Sequence, residues 1–134
     1  IDAGTGLVQL GEAASVTGNE AEGDGGGVFL DTVIELRGSA RIDGDTAGGN
    51  GGGIYVDHAG VVTMTDGASI TGNDAAVGGG LYLRGIASIA GTATVTANTA
   101  PDGAGVWFDR GVLDGEYCGS SIRDNFGADC NLSE

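Results

Sequence analysis

Apolar residues recur along this chain in short alternating groups, and no stretch shows a helical period. Read with a period of two, the groups resolve into three short strands per unit, separated by Gly, Asn and Asp. One strand follows a glycine triplet: Val28 to Leu30, Ile54 to Val56, Leu81 to Leu83, Val106 to Phe108 and a weaker Cys130 to Leu132. A second covers Leu7 to Leu10, Ile34 to Leu36, Val62 to Met64, Ile86 to Ile89 and Val112 to Leu113. The third covers Ser15 to Thr17, Arg41 to Asp43, Ser69 to Thr71, Thr94 to Thr96 and Ser121 to Arg123. The unit repeats every 25 to 28 residues, as the ladder positions Asn19, Asp45, Asn73, Asn98 and Asn125 mark. Three strands per repeat of that length predict an all-β fold, a single-stranded parallel β-helix of about five coils. Coils spaced at the strand separation make a solenoid roughly 24 Å tall, and right-handed crossovers are the general preference.

Alternation assigns the faces. Val28, Ile54, Leu81 and Val106 point inward with Leu30, Val56, Leu83 and Phe108, joined by Val16, Ile42, Ile70, Val95 and Ile122 and by Leu10, Leu36, Met64 and Ile89. Stability then comes from stacking of neighbouring coils. The Asn/Asp file sits at the turn after the third strand, where side-chain amides bond the coils above and below and tolerate left-handed backbone. The glycine triplets lack the following helix and Lys of a phosphate-binding loop, so they read as turns.

Composition supports one domain over residues 1–134, either a segment of a longer solenoid or a self-stacking subunit: 29 glycines and one proline, with 40% hydrophobic residues. The glycines keep fixed offsets, which excludes collagen, and no apolar run is long enough for a membrane-spanning helix. Nineteen acidic against five basic residues give a net charge of −14. That field disfavours nucleic acid and anionic membranes as partners, attracts cations and maintains solubility. The start at Ile1 without a leader reads as a processed chain or an excised domain.

The triplets and their aliphatic-x-x-Asn lead-in, as in Val16-Thr17-Gly18-Asn19 to Gly25-Gly26-Gly27-Val28-Phe29-Leu30, resemble the GGA[ILV] and FxxN repeats of polymorphic outer-membrane protein passengers. They are also similar to right-handed parallel β-helix repeats of pectate-lyase-like shape. The resemblance spans about Leu7 to Asn125 and implies a secreted or surface-displayed passenger, adhesive or structural.

Function is sought on the outward face. Phe29, Tyr55, Tyr82 and Trp107 form one outward file, with Asp31, Asp57, Arg84 and Asp109 two residues further along. Aromatics beside carboxylates suit sugar rings; the competing reading is that the rings stack on one another between coils. Arg84 between Asp57 and Asp109 reads as an ion ladder, and it is also the one group resembling a lyase centre. Asp31 with Asp57 is a candidate Ca²⁺ pair, one coil apart but short of the six to eight oxygens such a site takes. No other cofactor is expected. His58 is the lone histidine and lacks a nucleophile partner. Ser15/Thr17, Ser69/Thr71 and Thr94/Thr96 suggest an ice-binding hydroxyl file, interrupted by Arg41/Asp43 and Ser121/Arg123. Cys118 and Cys130 in the final coil read as an intrachain staple, two free thiols or an intermolecular bridge; a disulfide implies an oxidising compartment. The expectation is a non-enzymatic structural or adhesive module, extracellular or at a cell surface, whose partner is itself, stacked end to end, or a surface glycan or protein. The rivals are carbohydrate binding or cleavage and, as a minor alternative, ice binding.

Overall fold

Short aliphatic alternation bounded by glycine favours strands that turn after three or four residues, and the computed structural model folds that way. It describes residues 1–114 and 118–133 in backbone, with side chains through Cys130. Among the described residues there is no helix, and all paired strands run parallel. The triplet strands form a six-stranded sheet from Asp2–Ala3 through Val28–Leu30, Ile54–Val56, Leu81–Leu83 and Val106–Asp109 to Cys130–Ser133. Second strands form a five-stranded sheet and third strands a four-stranded one. The result is a parallel β-solenoid.

Register is continuous from coil to coil. Val28 pairs with Ile54, Ile54 with Leu81, and Leu81 with Val106, so like positions stack. The core expected from alternation is present: Leu30, Leu36, Ile42, Ile54, Met64, Ile70, Leu81, Leu83 and Ile122 are fully buried, while Leu10 is half-buried in the outermost coil. Burying each such side chain stabilises by roughly 1.5 to 3 kcal/mol. Ala40, Ala68 and Ala93 add a buried file at the corner between second and third strands, where little side-chain volume fits.

Three features differ from the sequence expectation. The second strands begin one residue earlier at Val33 and Val61, because Leu7, Val33, Val61, Ile86 and Val112 share one register. A two-residue ladder, Glu20–Ala21 beside Thr46–Ala47, follows the Asn corner. Four turns, not five, carry all three strands: in the last, Ser121 to Arg123 reduces to one bridge between Ile122 and Val95. There Gly119 N–H donates to Ile122 O at 2.7 Å, while Val95 N–H donates to Ser121 O at 2.9 Å and Arg123 N–H to Val95 O at 3.2 Å, the two bonds of the remaining bridge.

Candidate functional site: the outer face of the triplet sheet

The middle residue of each triplet strand projects outward, and in-register pairing brings Phe29, Tyr55, Tyr82 and Trp107 into one file. Three of these rings stack face to face: Phe29 on Tyr55 at 5.0 Å between centroids and 12° between planes, Tyr55 on Tyr82 at 5.2 Å and 8°. Each stack adds on the order of 0.5 to 1.5 kcal/mol. Tyr55, held between two rings, keeps only 7% exposure although it points outward.

Around the stack lies a polar cluster that the period of two brings together in three successive coils. Arg84 Nε stands 3.3 Å from Asp109 Oδ2 and Arg84 Nη1 3.6 Å from Asp57 Oδ1. The same Nη1 donates to Tyr55 Oη at 3.3 Å, and Tyr82 Oη donates to Asp109 Oδ2 at 3.0 Å. Arg84 Nε is buried and makes its contact with Asp109 as an off-axis charge pair rather than a hydrogen bond. Loss of hydration, with the bond to Asp109, pushes the Tyr82 phenol up to about 12. His58 joins from the following turn: its ring reaches Asp57 Oδ1 at 3.1 Å through Nδ1 and Arg84 Nη2 at 2.8 Å through Nε2. Spacing gave no signal for His58 there, because it lies in a turn where alternation does not apply.

Asp31 stands apart from this group; its backbone N–H donates to Ala3 O at 2.9 Å. The contacts of Asp57 with Arg84, the His58 ring and the His58 N–H at 2.9 Å all fall on Oδ1. Among the described residues no group of three or more His, Cys, Asp or Glu is placed to hold a metal.

The second candidate file is interior in its middle, where Asp45, Asn73 and Asn98 are buried, while Asn19 is exposed and Asn125 half-buried. Asn73 N–H and Nδ2 both donate to Asn98 Oδ1 at 3.0 Å, and Asn98 N–H and Nδ2 both donate to Asn125 Oδ1 at 3.0 Å. Asn73 Nδ2 also reaches back to Ile42 O, Asn98 Nδ2 to Ile70 O and Asn125 Nδ2 to Val95 O. Asn19 enters the same chain through Asp45 Oδ1. At the far end Asp129 Oδ1 accepts from Asn125 N–H at 3.1 Å and Nδ2 at 3.0 Å, substituting for a further coil. Cys118 and Cys130 form an intrachain disulfide with Cα atoms 5.9 Å apart, which fits an oxidising environment.

No protein-family model matches this chain, and searches of curated proteins and of solved structures find no match.

Chemically, the aromatic file offers ring edges outward, because the faces of Phe29, Tyr55 and Tyr82 are turned toward one another. Arg84 has its charge compensated by two carboxylates. Outward on the second sheet stands an aliphatic file that the sequence reading passed over, Leu7, Val33, Val61, Ile86 and Val112, of which Leu7, Ile86 and Val112 are 53%, 46% and 57% exposed. Starting the second strands one residue earlier was the signal that reveals it.

Proposed function

We propose that the chain is a non-enzymatic structural module, a stiff β-solenoid that continues by pairing its outer strands with those of a second copy, end to end. The observation that carries this reading is the state of the second sheet: among the described residues Leu7–Leu10 and Val112–Asp114 each pair on one side only, with Leu7 and Val112 exposed beside the open edges. Open parallel edges are templates for further strands. Coil-to-coil stacking of the rings and the Asn ladder supports the structural part, since these side chains are used in stiffening the rod. An extracellular or cell-surface setting is supported by the disulfide and by the resemblance to outer-membrane passenger repeats within the pectate-lyase-like group. A glycan platform has weaker support, because a sugar needs ring faces and three of the four rings turn theirs to a neighbour.

Negative-stain microscopy and light scattering of concentrated protein in oxidising buffer test the reading. Filaments one solenoid wide are expected; monomers alone at every concentration overturn end-to-end stacking.

A further inference from the structure

One member of the buried ladder is a carboxylic acid. Asp45 is fully buried, as are Asn73 and Asn98. Its Oδ1 behaves like an amide oxygen, accepting from Asn19 N–H at 2.7 Å and Asn19 Nδ2 at 2.9 Å. Among the described residues its Oδ2 has no hydrogen-bond partner. The glycines that roof the ladder locate this atom: a Cβ on Gly27 would lie 2.7 Å from Asp45 Oδ2, and Cβ atoms on Gly53, Gly80 and Gly105 would lie 3.0, 2.9 and 2.7 Å from the Nδ2 of Asn73, Asn98 and Asn125. Oδ2 therefore occupies the place of the amide nitrogen.

In the next two coils that nitrogen donates twice, once to the following ladder oxygen and once to a third-strand carbonyl of the preceding coil. The preceding-coil acceptors are Ile42 O for Asn73 and Ile70 O for Asn98, and Val16 stands in register with Ile42 as Ile42 does with Ile70. The equivalent acceptors for Asp45 are the Val16 carbonyl and Asn73 Oδ1. A charged oxygen buried there would face two acceptors and no donor, the costly case for a buried polar atom.

We propose that Asp45 is a neutral carboxylic acid in the folded solenoid, its Oδ2 proton donated across the seam between the first and second coils, so that this seam loosens as the group is forced to ionise. Burial pushes the carboxyl above its ordinary 3.8; the backbone and side-chain donors of Asn19 pull it back, Asp43 pushes it up and the Ile1 ammonium pulls it down. Of the other charged groups on the packed elements, Arg41 lies 4.0 Å from Asp43 and is exposed, while Glu20 and Asp74, in register with Thr46, are exposed acids. Because the folded value is raised, the stabilisation is complete below the ordinary carboxylate range and is lost as pH rises through the folded value.

Carbon-13 NMR titration of the side-chain carboxyls in the intact protein, with melting curves of Asp45→Asn and Asp45→Ala at pH 4 and pH 8, tests the assignment. The Asp45 carboxyl is expected to stay protonated where exposed aspartates have already ionised. Asp45→Asn, which restores both donors, is expected to raise the melting temperature at pH 8 by roughly 3 °C or more, with a smaller gain at pH 4. Asp45→Ala, which removes the acceptor as well, is expected to melt below Asp45→Asn at both. Titration of Asp45 at or below the ordinary aspartate range overturns the assignment, as does an Asp45→Asn gain equal at the two pH values or absent at pH 8. Should a variant fail to fold, the titration of the unmodified protein decides alone.

Discussion

Backbone conformation at single positions separates what is comfortable in this solenoid from what is tolerated. The residue before each ladder Asn or Asp adopts left-handed φ: Gly18 at 68°, Gly44 at 69° and Gly72 at 68°, but Ala97 at 57° and Asp124 at 56°. A Cβ in that region costs roughly 1 to 2 kcal/mol, part of which glycine gives back through its looser unfolded chain. Ala97→Gly is therefore expected to stabilise by about 0.5 to 1 kcal/mol, read as a higher denaturant midpoint with unchanged slope; a lower midpoint would show that Ala97 packs usefully. The ladder positions were legible because five Asn/Asp residues recur at coil spacing, and three of them prove fully buried. That Asp45 differs chemically from its neighbours was not legible: spacing treats Asp and Asn alike, and only the unpartnered Oδ2 separates them.

Strands carried the strongest sequence signal, since period-two alternation and the glycine triplets both report on local backbone. What alternation could not supply was the fate of outward side chains. Both readings of the aromatic file placed Phe29, Tyr55 and Tyr82 outside, and the choice between open platform and stack depends on ring rotation, which leaves no mark in spacing. The polar cluster has a measurable signature: in ultraviolet titration one of the tyrosines, Tyr82, is expected to ionise only near pH 12, and Asp109→Asn should bring it down, because the carboxylate both accepts its proton and repels the phenolate. Stability follows with a fixed sign, since a raised phenol value favours the neutral form, and this contribution is lost only as pH climbs from about 10 toward 12. The last triplet strand, Cys130–Ser133, pairs with Val106–Asp109 alone among the described residues and is tethered by the disulfide. Reduction is expected to cost roughly 2 to 3 kcal/mol, with amide exchange rising at that strand and its neighbour while the central coils stay protected. Uniform loss of protection would mean that the staple supports the whole rod.

A rod with a net charge of −14 over 134 residues is held together by short-range stacking and opposed by its own field. The stacking contacts, the Asn ladder and the ring pairs of Phe29, Tyr55 and Tyr82, are short-range and made mostly by uncharged groups, so they respond little to salt, whereas repulsion between two such rods approaching end to end is screened within about 30 Å at 0.01 M salt and about 8 Å at 0.15 M. The far end of the ladder adds an acid where an incoming coil would dock, since Asp129 fills the place of the next ladder oxygen. End-to-end association is therefore expected to be weakest at low salt and neutral pH. It should strengthen as salt rises or as pH falls toward the isoelectric point near 4.1, where the field vanishes. Scattering intensity followed along both paths separates stacking from charge-neutral precipitation. Stacking gives rods of constant width that lengthen with salt at neutral pH and shorten on dilution, while precipitation gives growth in all dimensions, confined to the acid path. Growth at acid pH with no response to salt would leave the open strand edges without a role in assembly.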